Sequence, residues 1–327
     1  MKRLKLTLLL SVLMLSLCAC STMHSNPLIK AEATAVPGLS MDLHAASASD
    51  TNTDEFVATL YFRYLNQPML AKESRTLTVK RDESNELALL NALLQGPSAG
   101  HMELHRLFPE NIQVENVTSK NQVLFVTLSN TLLSNADLPA DWQGQADWAT
   151  EAPLLRELQM QSIVASVTEC FAYTGVQIMI GHNNPKESLR LDNSYFLNEL
   201  SGLSDPLIRN EALLLTPQNT AACILDAWQK MDLETLYAYV APFGNGVHRP
   251  TMEAFLHMAE AYPAIGDFTC TGGSISQDGS RAVIGASFSL HQNGVTRAIT
   301  AYPVHLMLDN GIWKISYDSL LSLMSIQ

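Results

Sequence analysis

Hydrophobic positions change their spacing along this chain, and each change predicts an element. An apolar run, Leu6 to Leu17, follows Lys2, Arg3 and Lys5. Its 12 residues fall short of the ~20 that a spanning helix needs, so it reads as the core of an export signal. From Cys20 to about Asp54 no apolar period is sustained. Ser, Ala, Thr and Asn dominate, with a Pro37-Gly38 pair, and a flexible tether reaching roughly 30 Å is expected.

Phe56 to Tyr64 (FVATLYFRY) is β-branched and aromatic and predicts a strand, with a shorter one over Arg75 to Lys80. Leu87, Leu90 and Leu94 recur at helical spacing, so a helix is expected from about Glu83 to Gln95, stopped by Gly96-Pro97. Strands at Ile112–Thr118 and Gln122–Leu128 should turn at Ser119-Lys120-Asn121. Met160, Ile163, Val164, Val167 and Phe171 define one face of a helix from Pro153 to Phe171, with Pro153 in its first turn. A strand over Val176–Ile180 completes the order β-β-α-β-β-α-β, an α+β layer with helices covering one face of a sheet. Ala136 to Ala149, with Trp142 and Trp148, is an insertion: a contact surface, or two tryptophans folded back onto the body.

The second half reads as helices and then strands. Thr216-Pro217 opens a helix as cap and first-turn proline, with Ile224, Trp228 and Met231 in period. Asp232 caps a continuation towards Pro242. Phe255, Met258, Ala259 and Tyr262 mark a helix over Thr251–Tyr262. Strands near Ile265–Ile275, Arg281–His291, Val295–Leu308 and Ile312–Tyr317 are separated by Asp278-Gly279, Asn293-Gly294 and Asn310-Gly311, dipeptides that accept the positive φ of tight hairpins.

A length of 327 residues suggests two folded domains, and with 47% hydrophobic against 16% charged residues most of the chain should fold. Losing Lys2, Arg3 and Lys5 with an acid-free leader takes 20 basic residues to 17 against 32 acidic ones, a net charge of −15. So acidic a body repels nucleic acid, and no basic stripe relieves this. Of five cysteines, Cys18 lies in the leader and Cys20 at its end. Cys170, Cys223 and Cys270 have no C-x-x-C spacing and read as small buried hydrophobes; a Cys223–Cys270 bridge is the alternative, which export permits.

Chemistry-bearing motifs are sparse. His101-Met102-Glu103-Leu104-His105 would share one helical face between its histidines, yet it lies between Gly96-Pro97 and Pro109, where an exposed turn is expected rather than a metal site. S-x-x-K, G-x-S-x-G, Walker and G-x-G-x-x-G patterns are missing from the sequence, so neither cofactor nor metal is expected.

Leu17-Cys18-Ala19-Cys20 resembles the lipobox of bacterial lipoproteins, with Cys18 where Ala, Ser or Thr is commoner. The resemblance implies cleavage before Cys20 and a lipid on its sulfur, acyl chains such as palmitate holding the protein at the extracytoplasmic face of the cell membrane. Leu60-Tyr61-Phe62, Ala92-Leu93-Leu94-Gln95-Gly96-Pro97, Phe108-Pro109, Val126-Thr127-Leu128-Ser129, Thr168-Glu169 and Val176-Gln177-Ile178 resemble the GerMN domain of sporulation and spore-germination lipoproteins. This implies a fold similar to ring-building modules and a non-catalytic role. The helix-then-meander half, closing in Asp309 to Tyr317 (DNGIWKISY), is similar to the NTF2-like cone.

The expected layout is a signal peptide over 1–19, lipidated Cys20 and tether over 20–54, a GerMN-like domain over 55–185, a connector over 186–212 and an NTF2-like domain over 213–327. The expected fold is α+β in two domains, a GerMN/ring-building-like sandwich and an NTF2-like cone. The expected role is a non-enzymatic envelope lipoprotein, acting in assembly or anchoring in sporulation or germination. Its partners would be the bilayer and an envelope protein or a second copy. The rival is a ligand-binding or isomerase-type cone, with Tyr237, His257, Asp267 and His305 as candidate groups by residue type.

Overall fold

The β-branched and aromatic stretch TDEFVATLYFRY makes Thr53–Tyr64 the first strand (β1) of the computed structural model, which describes residues 53–135, 138–181, 187–198, 200–292 and 295–326. Leu70–Lys80 (β2) pairs antiparallel with it along its length, five residues longer than the pattern suggested. A two-residue strand, Leu104–His105 (β3), pairs with Arg63 and Tyr64 and makes the order β2-β1-β3. The helix Asn85–Gln95 (α1) starts where Ser84 Oγ accepts from the Leu87 N–H and ends at Gly96, whose φ of 94° disfavours a side chain. Guanidinium groups close its last turn: Arg106 donates to Leu94 O at 2.8 Å and Arg75 to Gly96 O at 3.1 Å.

Val114–Lys120 (β4) and Val123–Leu128 (β5) form a hairpin. Its turn is Asn121-Gln122, both at positive φ, slightly beyond the expected Ser119-Lys120-Asn121. The helix Ala146–Cys170 (α2) crosses to Gly175–Gly181 (β6), which pairs parallel to β5, and Ser188–Arg190 (β7) adds an antiparallel edge. The expected single sheet is therefore two, β2-β1-β3 and β4-β5-β6-β7, and α1 and α2 each pack against strands of both.

Helix α2 starts seven residues before Pro153, so that proline is interior rather than in the first turn. A proline eight positions into a helix gives up one N–H bond, and the preceding residues, rich in Ala, continue the helix regardless. Trp148 consequently belongs to this helix and Trp142 to a short 3-10 turn, both half-buried. A stripe of small polar residues on α2 also closes an open edge of β1. Ser166 Oγ accepts from the Tyr61 N–H at 2.9 Å, Ser162 Oγ donates to Tyr61 O at 2.6 Å, and Cys170 Sγ accepts from the Thr59 N–H at 3.2 Å. Their spacing of four residues puts them on one helix face, and only small side chains let a helix lie this near a strand.

The later elements follow the expected order: helices Pro217–Gln229 (α3), Leu233–Ala238 (α4) and Met252–Ala259 (α5), with the short pair Phe243–Gly244 (β8) and Val247–His248 (β9) between them. Thr216, Asp232 and Thr251 each cap a helix with a side-chain oxygen. The antiparallel meander is Ile265–Ile275 (β10), Arg281–Gln292 (β11), Val295–Asp309 (β12) and Ile312–Ile315 (β13). Register shifts at Ile265/Phe268, Thr271/Gly273 and Ala286/Phe288 bend it. Gly279 and the pair Asn310-Gly311 take the positive φ expected of them, while Asn293-Gly294 falls outside the described residues. The last strand ends at Ile315, and an unexpected helix, Tyr317–Met324 (α6), buries Leu320, Leu323 and Met324. The fold is mixed α+β, with six α-helices among the described residues.

Thr51–Gln327 is one compact unit with a continuous core that runs from β1 and α2 to Trp228, Phe255 and Trp313. Trp228 and Phe288, ring centroids 5.8 Å apart, fill the space between α3 and the meander. The stretch read as a connector contributes β7 and sends Leu191 and Tyr195 into that core.

Candidate functional site

Cys20, the lipid attachment expected from the sequence, lies outside the described residues. Among the described residues no helix is long and apolar enough to cross a membrane.

The segment from His101 to His105 is not helical. Its last two residues are β3, Met102 is 88% exposed, and no cluster of three or more metal-binding side chains occurs among the described residues. The motif instead joins the two halves of the fold. Glu103 Oε2 lies 2.5 Å from Lys314 Nζ, Asp309 Oδ2 lies 3.0 Å from the same nitrogen, and Asn310 Nδ2 reaches His101 Nδ1 at 3.1 Å. Beside it the Tyr64 hydroxyl donates to Ala238 O at 2.5 Å, and the Tyr64 and Tyr239 rings pack at 5.5 Å.

The candidate groups of the cone are dispersed. His257, Asp267 and His305 are exposed on α5, β10 and β12. The Tyr237 hydroxyl donates to Pro250 O at 2.8 Å, and Arg249 lies 4.4 Å above its ring. Proton transfer tuned by burial needs a carboxylate or imidazole out of water, and these three groups face solvent.

The feature that sequence reasoning missed is an apolar cleft of about 720 Å³ at the β7 edge of the second sheet. Ile180 and Tyr195 line it and are buried, whereas Leu133, Leu189 and Leu203 are 52%, 60% and 54% exposed. The floor is held from behind: Tyr195 OH donates to Gln159 Oε1 at 2.5 Å, and Arg156 lies 5.1 Å over the same ring. On the far side Arg190 Nε ties β7 to Ser204 O at 3.0 Å. Leucines with more than half their surface in water, around a concave apolar wall, are costly to a monomer and typical of a docking surface. The available signal was the leucine content of residues 189–203, high for a linker.

Residues 59–184 match the Germane family. Its description is sporulation and spore germination. The Germane region thus spans β1 through β6 and includes part of the cleft. No curated protein matches the chain. Among solved structures, the tandem GerMN domains of the sporulation protein GerM from Bacillus subtilis are 14% identical, over 48% of this chain and 45% of that one, with a TM-score of 0.31. The chain thus spans under half of that relative's length. A chain described as a lipoprotein from Clostridium perfringens is 19% identical over 49% of this chain and 90% of its own, with a TM-score of 0.27. A third, labelled as an Rd1NTF2 variant, is 20% identical over 29% of this chain and 86% of its own, at 0.21. Scores this low carry no functional weight.

Proposed function

We propose that this protein is a non-enzymatic lipoprotein of the bacterial cell envelope, acting in the assembly or anchoring of an envelope complex in sporulation or spore germination. Lipid on Cys20 holds it at the extracytoplasmic face, the Germane region docks a partner, and the helix-and-meander half is an NTF2-like support joined to that region through Lys314. The observation that carries the docking role is the cleft beside β7, where Leu133, Leu189 and Leu203 stand exposed over a buried floor. Its occupant is an apolar segment of another envelope protein. An association between copies is less favoured because each carries a large net negative charge.

Photo-crosslinking from position 133 in intact cells tests this. We expect an adduct with one envelope protein, identified by mass spectrometry and lost in Leu189→Glu/Leu203→Glu, with circular dichroism unchanged. A self-adduct would replace the hetero-partner with a second copy. The absence of any adduct in cells grown through sporulation would remove the docking role.

A further inference from the structure

Helix α3 lies along β10 and is tied to it at both ends. Gln218 Nε2 donates to Cys270 O at 3.5 Å, and Gln229 Nε2 donates to Gly266 O at 2.9 Å. Cys223 sits on α3 between these ties. On β10 the exposures alternate: Asp267, Thr269 and Thr271 face water, while Phe268 and Cys270 are half-buried on the face that α3 covers. Both thiols therefore enter one helix–strand seam. Cys170, the third cysteine among the described residues, is elsewhere, bound to the β1 backbone at Thr59. The seam also holds the buried Tyr239 hydroxyl, which lies against the Cys223 thiol.

We propose that Cys223 and Cys270 are a redox pair that closes a disulfide outside the cytoplasm, stapling α3 to the edge strand β10. That strand has a partner on one side only, β11, so its far edge depends on the helix for cover. The step is thiol–disulfide exchange with a disulfide oxidant. One thiolate attacks a sulfur of the oxidant, forming a mixed disulfide and releasing one thiol. The second thiolate attacks the protein-bound sulfur, the Cys223–Cys270 bond forms and the second thiol leaves. The two protons given up by Cys223 and Cys270 end on the two leaving thiols, and two electrons pass to the oxidant. Burial, and next to it Cys223, pushes the Cys270 thiol up to about 11, and burial raises Cys223 too. Little thiolate is present at neutral pH, so closure is slow without an exchange catalyst, and the finished bond is sheltered from reducing thiols.

The probe is glutathione disulfide, added to the full-length protein, followed by denaturation, alkylation with N-ethylmaleimide, digestion and mass spectrometry. The expected result is a cross-linked peptide pair containing Cys223 and Cys270, both lost from the alkylated pool, with Cys170 still alkylated. Cys223→Ser and Cys270→Ser should each abolish the cross-linked pair and leave the other cysteine alkylated or glutathionylated. Full alkylation of Cys223 and Cys270 in the wild type overturns the proposal. So does glutathione held on either without the cross-link, or a cross-link through Cys170.

Discussion

Lys314 Nζ has no solvent exposure and sits 2.5 Å from Glu103 Oε2, so a loop from the first half of the fold neutralises an ammonium from the last strand of the second. Asp309, 3.0 Å away, supplies a second carboxylate to the same nitrogen. A buried cation left without its acids is far costlier than two acids left without their cation, because each carboxylate retains 30% side-chain exposure and can be solvated. Lys314→Met should therefore lose only about 1–2 kcal/mol of folding stability, whereas Glu103→Ala with Asp309→Ala should lose about 3–5 kcal/mol. Urea unfolding of the three proteins measures both. Equal losses would show that the ammonium is not held as described.

Ser162 and Ser166 make a second asymmetric pair, serving the carbonyl and the N–H of the same buried residue, Tyr61. Ser166→Ala strands a buried N–H, which has a single bond to make, and about 1–3 kcal/mol should be lost. Ser162→Ala strands a carbonyl, which tolerates under-satisfaction better, at about 1 kcal/mol. A larger loss for Ser162→Ala, by the same urea titration, would contradict this account of how β1 is closed.

Much of the second half was legible because its signals are local. Thr216-Pro217 and Asp232 announce helix starts through cap chemistry, and Asp278-Gly279 and Asn310-Gly311 announce turns through backbone conformation; none of these depends on distant partners. The first half hid what depends on distance. Nothing near Pro153 says that α2 begins at Ala146, because a proline reads locally as a first-turn residue. Ser162 and Ser166 carry no apolar signal, yet they replace a neighbouring strand for β1. His101 to His105 resembled a ligand pair, and only the fold brings Lys314 and Asn310 onto it. The cleft was invisible for a similar reason: Leu133 and Leu189 are 56 positions apart and meet through β7 pairing with β6.

Asp278 predicts a pH effect. In the β10–β11 turn its carboxylate accepts from Ser276 Oγ and Ser280 Oγ and from the Ser280 N–H, and these bonds hold it down at about 2. The folded value is below the unfolded one, near 3.8, so its contribution to stability is present above about pH 4 and lost as pH falls towards 2. A carboxyl-carbon NMR titration should give a midpoint near 2 in the wild type and near the ordinary aspartate range in Ser276→Ala/Ser280→Ala. An unchanged midpoint in the double variant would mean that the serines are not its cause.

The anchor is tested by one sulfur. Cys20→Ala removes the atom that would carry the lipid and leaves every described contact in place, since the first described strand begins at Thr53. The variant should fold with the same urea midpoint as wild type, yet leave the membrane fraction or accumulate uncleaved with Lys2, Arg3 and Lys5 still attached. On the proposed anchoring, tight retention needs acyl chains in the bilayer, and the protein's net negative charge gives it no attraction to anionic headgroups that could substitute. Fractionation with high-salt and carbonate washes separates these cases. A processed Cys20→Ala chain that withstands both washes sits in the bilayer without a lipid on that sulfur, and the anchor assignment fails; a chain that sediments with membranes but is released by either wash is held by a protein, and the cleft at Leu189 and Leu203 is then the first place to look for the contact.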